Sequence, residues 1–186
     1  MNEDKPMPAL RFLFILIIFS VSTSSVPAHA GGPVEAFYGH FVGTTIDEGV
    51  GEIEKRDLDV YIRPYRKGFN IEWTTTIHRA TGKTKRAKFS INFRPTERIG
   101  VFSSAMRKDK FGNARPLDPL RGDPYVWAVV EGGVLTVNTL IILEGTGYEI
   151  QTYERRLTAN GMNLVFSRIR NGEKLKRIKA KLERVE

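Results

Sequence analysis

Apolar and polar residues alternate along most of the chain after Phe37, in short runs separated by glycine-containing turns. The clearest run is 69–78, where Phe69, Ile71 and Trp73 begin a series of apolar or threonine positions that alternates with polar ones. A period of two is that of a β-strand with one face turned towards a core, and five successive alternations leave little room for a helix. The pattern therefore predicts an antiparallel all-β domain.

Several other segments carry the same alternation and are predicted to be strands. One of them, 134–143, is apolar at both parities, which predicts a central strand that is covered on both faces. The final segment, 173–186, fits either a strand or an amphipathic helix with a basic outer face, and the preceding Asn171-Gly172 favours the strand. The predicted strands are 36–44, 58–63, 69–78, a fourth ending near 94, 99–103, 125–130, 134–143, 148–157, 162–170 and 173–186.

The connections between these strands are short, with one exception. Hairpin turns are predicted at Lys67-Gly68, at Gly132-Gly133, at Asn160-Gly161 and at Asn171-Gly172. The exception is 105–124, a stretch rich in proline and glycine without periodicity, of a length that is often functional. Nine or ten strands in hairpin order predict an up-and-down meander, which hides its edges best by closing into a barrel.

The N-terminal thirty residues differ from the rest. The run 12–21 (FLFILIIFSV) follows Lys5 and Arg11, and small residues lead to Ala28-His29-Ala30. This order is typical of a secretory signal peptide, and the apolar run is about half of what a membrane span needs. We therefore expect residues 1–30 to be a signal peptide and 31–186 to form a single domain. The protein is expected to be exported, to the periplasm or, alternatively, secreted.

The charge of +8 is unevenly distributed along the chain. The stretch 47–59 holds six acids, whereas 154–186 holds ten bases and four acids. In an exported protein the polyanions at hand are membrane and envelope surfaces rather than nucleic acid. A basic C-terminal region therefore suggests an alternative function, a structural or interaction protein of the cell envelope that docks on anionic surfaces, although a merely solvated charged face fits as well.

Signatures of catalysis or of a bound cofactor are lacking in the sequence. Beyond the predicted signal peptide the histidines are His40 and His78, far apart, and the chain has no cysteine, so neither a metal site nor a cofactor is expected. No Gly-x-Ser-x-Gly motif occurs. Asp57 and Asp59 share a strand face, which is more typical of an acidic outer surface than of a catalytic pair. An enzyme is accordingly the least favoured of three hypotheses.

Two arginines fall on the apolar parity of late strands. Arg155 shares a face with Tyr153 and Leu157, and Arg168 shares one with Leu164 and Phe166. If these faces point inward, the arginines need an anion or an acid, because an unpaired buried charge is very costly. A ligand carboxylate or phosphate would satisfy them. Two alternatives stay open: the arginines lie at strand ends in water, or they pair with inward-facing glutamates.

The segment 37–43 (FYGHFVG) is similar to the Gly-x-Trp that opens lipocalins, with Phe41 in the tryptophan position. Together with the hairpin meander over 36–184 and the late arginines, it makes the chain resemble exported bacterial barrels of the lipocalin-like, or calycin, group. The resemblance implies a barrel of eight to ten strands that holds a small hydrophobic or amphipathic molecule. Its expected ligand-binding residues are Tyr153, Arg155 and Arg168 at the polar end and Trp73, Trp127 and Phe166 along the cavity.

Overall fold

The computed structural model describes residues 34–46, 55–104, 107–108, 110–112, 114–115, 117–145 and 147–185. The predicted signal peptide 1–30 and the acids of 47–54 lie outside the described residues. Within the described ranges, no helix has the length and apolar character needed to cross a membrane. The elements are the 3-10 helix η1 (Val34–Phe37) and β1 (Gly39–Ile46), β2 (Arg56–Tyr65), β3 (Gly68–His78), β4 (Thr84–Pro95), β5 (Val101–Ser104), β6 (Arg107–Lys108), β7 (Ala114–Arg115), the 3-10 helix η2 (Pro119–Arg121), β8 (Tyr125–Glu131), β9 (Val134–Ile142), β10 (Tyr148–Thr158), β11 (Gly161–Arg170) and β12 (Glu173–Val185).

Ten of these strands form one closed antiparallel barrel, in the order β1-β12-β11-β10-β9-β8-β5-β4-β3-β2 and back to β1. The predicted all-β meander and its closure are thus confirmed, and the final segment is a strand. It has 13 residues and lies between two strands, pairing with β1 through 179–185 and with β11 within 173–183. The connection between β5 and β8 carries the small β6–β7 hairpin and η2.

Two of the predicted glycine turns are tight two-residue turns. Gly132-Gly133 and Asn171-Gly172 have positive φ at both positions, between the cross-strand pairs Glu131–Val134 and Arg170–Glu173. This geometry matches the twist of the flanking strands, which is why glycine and asparagine favour it.

Two other turns lie one residue earlier than predicted. The turn residues are 66–67 and 159–160, so Gly68 and Gly161 belong to the strands that follow. Each of these glycines lies close to a neighbouring backbone: a Cβ would come 2.1 Å from the carbonyl oxygen of Phe93 at Gly68 and 2.0 Å from that of Leu182 at Gly161. These glycines therefore serve close strand packing rather than a turn.

One end of the barrel, called the closed end below, holds both β1's first residue and β12's last. η1 lies at this end and contributes Val34 and Phe37 to the buried core. The guanidinium of Arg184 donates to the carbonyl of Tyr38 and lies 4.5 Å from the ring centroid of Phe41. Arg184 thus links β12 to the segment that precedes β1.

The interior is packed in the half of the barrel towards the closed end. Every second residue of the strands points inward, so the core is built from alternate apolar positions of all the long strands. Its fully buried members include Phe41, Ile62, Phe69, Ile71, Phe93, Ala128, Val130, Leu135 and Met162. The opposite end, called the open end, receives the connections after β1, β3, β5, β9 and β11.

Strand β9 differs from its prediction as a strand covered on both faces. Leu135 and Val137 are buried inward, but Ile142, at the opposite parity, is 36% exposed. The second apolar parity of β9 therefore lies on the outer wall of the barrel.

The strand pairing of the barrel wall is least complete beside β4. Only Phe93, Arg94 and Pro95 of this strand pair with β5, and β5 in turn pairs with β8 through three residues. Among the described residues, none pairs with 84–92 on the side away from β3. Phe89 lies on this stretch and is 50% exposed although it has the inward parity.

Candidate functional site

The half of the barrel towards the open end encloses a cavity of about 270 Å³. Four aromatic side chains line it: Trp73, Phe89, Tyr153 and Phe166. Trp73 stacks on Phe89 with ring centroids 5.1 Å apart, and Tyr153 contacts Phe166 at 4.7 Å and Trp73 at 5.8 Å. The remaining described wall is mainly aliphatic and threonine: Thr45, Leu58, Val60, Thr75, Ile77, Ala87, Leu164 and Ile178.

Arg155 is the most unusual residue of this cavity. It projects inward from β10 between Leu135 and Leu164, its cross-strand neighbours, and is only 2% exposed. Its Nε and Nη1 atoms have no hydrogen-bond partner among the described residues. The guanidinium carbon of Arg155 lies 5.6 Å from the ring centroid of Tyr153. A buried cation with unsatisfied donors is a strong binding element for an anion.

Burial shifts the pKa values of both polar groups at this point. Desolvation lowers the pKa of Arg155 to about 10, so the guanidinium is still charged at neutral pH. Burial raises the pKa of Tyr153, with Arg155 and Arg56 acting in the opposite direction. The phenol is consequently neutral and can donate a hydrogen bond beside the guanidinium.

Arg56 and Lys85 also line the cavity, and the sequence analysis did not single them out. Arg56 has the same parity as Leu58 and Val60 on β2, so extending the predicted strand by two residues towards its start would have indicated it. Among the described lining residues there are thus three cations and no acid. The electrostatic field in this cavity favours a negatively charged guest.

Arg168 also has the inward parity, but it forms an ion pair with an acid. Its Nη2 donates to Oε2 of Glu149 at 2.7 Å, and Arg170 donates to the same oxygen at 2.9 Å and 3.2 Å. The side chain of Gln151 donates to Oε1 of Glu149 at 2.7 Å. Arg168 therefore belongs to a paired cluster at the open end, the second alternative left open by the sequence, and is not among the residues that line the cavity.

Glu149 holds this cluster together. It is 2% exposed, and the hydrogen bond from Arg168, with further ones from Gln151 and Arg170, lowers its pKa to about 2 against the opposing effect of desolvation. Sequence reasoning did not name this residue, although it shares the parity of Tyr153 and Arg155 and directly faces Arg170 across the strands.

Trp127, expected in the cavity, lies on the outer wall. Val126 and Ala128 occupy the buried inward positions of β8, so the residue between them points outward, where its ring lies 5.6 Å from that of Tyr125. The two histidines are on the outer wall as well. His40 lies 2.9 Å from Asp59 and His78 lies 2.5 Å from Asp57, so each histidine has its own carboxylate and the two aspartates form no shared pair.

The site therefore combines an apolar, aromatic pocket with a buried cation that has unsatisfied donors. Such a pocket can desolvate a hydrocarbon chain while the guanidinium holds a carboxylate or phosphate in a bidentate manner. Comparison with known protein families, with curated proteins and with solved structures gives no match to this chain.

Proposed function

We propose that the protein binds an amphipathic small molecule, with an anionic head group at Arg155 and an apolar part against the aromatic wall of the cavity. The observation that carries this proposal is the fully buried guanidinium with two nitrogens lacking partners among the described residues. A chain that merely needed a packed barrel would gain from an apolar residue at this position. The resemblance to lipocalin-like barrels and the expected export support a carrier of such a molecule outside the cytoplasm.

The size of the cavity limits the ligand. Its volume of about 270 Å³ is close to the lower end of the ~300–1,000 Å³ usual for small-molecule pockets. The wall beside Phe89 and the side chains of Ile77 and Lys85 lie towards the open end. A single-chain amphiphile with its head group inside and the rest of its chain directed towards this end fits the cavity better than a molecule with several chains.

The test compares dodecanoic acid with dodecan-1-ol, which has the same chain without the charge, by isothermal titration calorimetry. We expect the acid to bind at least about tenfold more tightly than the alcohol, because a charge-assisted hydrogen bond contributes roughly 1.5–3 kcal/mol. In Arg155→Met this preference should disappear.

Arg156→Met is the matched control, because Arg156 is the next residue of β10 and is exposed on the outer wall. It should bind both compounds as the unmodified protein does. The proposal fails if dodecanoate and dodecyl phosphate both leave the unmodified protein unbound, or if Arg155→Met retains the preference for the acid. Native mass spectrometry of the purified protein would in addition reveal a co-purified ligand that is lost in Arg155→Met.

The alternative function, an envelope protein docking through its basic C-terminal region, stays a prediction. β12 directs Arg177, Lys179 and Lys181 away from the barrel interior, since Ile178, Ala180 and Leu182 take the inward positions. Binding through such exposed charges would weaken steeply with salt, whereas binding in the cavity would not.

A further inference from the structure

An apolar patch covers the outer wall near the open end. Cross-strand partners place Tyr125, Leu140, Ile150 and Ile169 side by side on β8, β9, β10 and β11, in one row that runs around the wall. Ile142 and Tyr148 form a second pair directly beyond this row, towards the open end. Tyr125, Ile142 and Tyr148 are each between 36% and 40% exposed. We call these six residues the outer patch.

Two further features extend the outer patch. Leu120 is 86% exposed on η2, which packs against β9, and Trp127 lies beside Tyr125 on β8. The polar side-chain atoms of the outer patch are the hydroxyls of Tyr125 and Tyr148. Tyrosine and tryptophan are the aromatic residues that prefer the boundary between water and hydrocarbon. An exposed apolar row of this kind on a paired sheet marks an interaction surface.

Cations border the outer patch on the side of β12. Ile169 pairs across strands with Lys174, and Arg177 and Lys179 follow on the outer face of the same strand. Arg121 follows Leu120 on η2; its side chain is 80% exposed and pairs with Asp118 at 3.4 Å. The acids in the adjoining parts of the chain are Asp118, Asp123, Glu144 and Glu173.

We propose that the outer patch docks the open end of the barrel on an anionic lipid bilayer. The apolar and aromatic side chains would enter the interfacial region, and the flanking cations would contact acidic head groups, each contributing about 1 kcal/mol. Docking would not require the cavity ligand, although it would bring the open end to the surface where amphiphiles reside.

The geometry of the outer patch disfavours an added peptide strand as its occupant. An added peptide strand would need a free backbone edge, but β9, β10 and β11 are paired on both sides.

Cosedimentation with vesicles tests the proposal. Vesicles of phosphatidylcholine with about 30% phosphatidylglycerol should bind the purified protein, and those of phosphatidylcholine alone should bind it at least about tenfold more weakly. The double variant Ile142→Ser/Tyr148→Ser should lose about tenfold in partition coefficient, since it removes two apolar anchors. The control is Val42→Ser, because Val42 is 36% exposed on the outer wall at β1, across the barrel from β8.

Failure of this proposal and failure of the ligand proposal are distinguishable. Arg155→Met should bind the vesicles as the unmodified protein does, because Arg155 is buried away from the outer patch. Docking is refuted if anionic vesicles leave the protein in the supernatant, or if Val42→Ser weakens binding as much as Ile142→Ser/Tyr148→Ser does. A concentration-dependent dimer that the double variant abolishes, without vesicle binding, would assign the patch to a second copy and would also refute it.

Discussion

Arg155 illustrates how much a single buried charge influences this protein. An arginine that is 2% exposed has lost most of its hydration, and two of its nitrogens gain no described hydrogen bond in return. The lowered pKa of Arg155 expresses the same cost, because a depressed pKa of a base means that folding disfavours the protonated form. A site that binds its ligand through such a group is less stable when the ligand is absent.

Replacement of Arg155 by methionine should therefore stabilise the ligand-free protein. We expect Arg155→Met to increase the free energy of unfolding by roughly 1–3 kcal/mol, because a flexible apolar side chain fills similar space without a desolvation cost. Urea denaturation at neutral pH measures the change, with Arg156→Met as the control. A variant that is less stable than the unmodified protein would contradict this and would indicate a protein partner for the guanidinium.

Glu149 should make the stability dependent on acid. Its folded pKa of about 2 is below its ordinary value of 4.5, so its contribution is complete above that value and is lost as the pH falls from there towards 2. Glu149→Gln should be less stable by roughly 1–3 kcal/mol at neutral pH, and the difference from the unmodified protein should shrink across this acidic interval. Urea denaturation at a series of pH values checks this; two stability profiles that stay parallel would exclude the role.

At this scale the alternation of residues predicted which side chains face the interior, but not what they meet there. Arg155 and Arg168 have the same parity, and only the fold shows that Glu149 reaches one and not the other. Trp127 was expected in the cavity on account of its residue type, whereas the parity set by Val126 and Ala128 places it outside. The pattern was thus more informative than residue type.

The strands themselves were largely predictable because each turn and each alternation is encoded locally. The two turns that lie one residue early share one cause: Gly68 and Gly161 are glycines on account of a neighbouring strand, which no local sequence pattern reveals. The two apolar parities of β9 were attributed to burial on both sides, but one of them faces outward and contributes Leu140 and Ile142 to the outer patch. A sequence cannot by itself separate an apolar face that is buried from one that awaits a partner.

Substitution of Gly161 tests whether contact with a neighbouring strand explains this glycine. A Cβ at this position would lie 2.0 Å from the carbonyl oxygen of Leu182 on β12, so Gly161→Ala must push two strands apart. We expect a loss of roughly 1–3 kcal/mol in the free energy of unfolding. Gly147→Ala is the control, because its Cβ would meet side-chain atoms of Asn171 and Leu143 that can move. Equal effects of the two substitutions on urea denaturation would show that strand contact does not explain Gly161.

At the scale of the molecule, the closed barrel follows from the number of strands and the short connections, and the sequence predicted it. Whether the barrel is hollow was not predictable, because the same aromatic residues can fill an interior or line a cavity. The structure divides them: Phe41, Phe69 and Phe93 fill the half at the closed end, and Trp73 and Phe166 line the other half. The volume left over depends on the tilt and stagger of all ten strands together.

The position of the two ends of the described chain has a practical consequence. Val34 and Val185 lie at the same end of the barrel, where Arg184 joins the last strand to the segment before the first. A tether attached to either of these residues would hold the molecule by the closed end of the barrel, where the interior is packed. When it is immobilised in this way on a sensor surface, the protein would present its open end to the solution. Binding of amphiphiles and of vesicles could then be measured in turn on molecules of the same orientation.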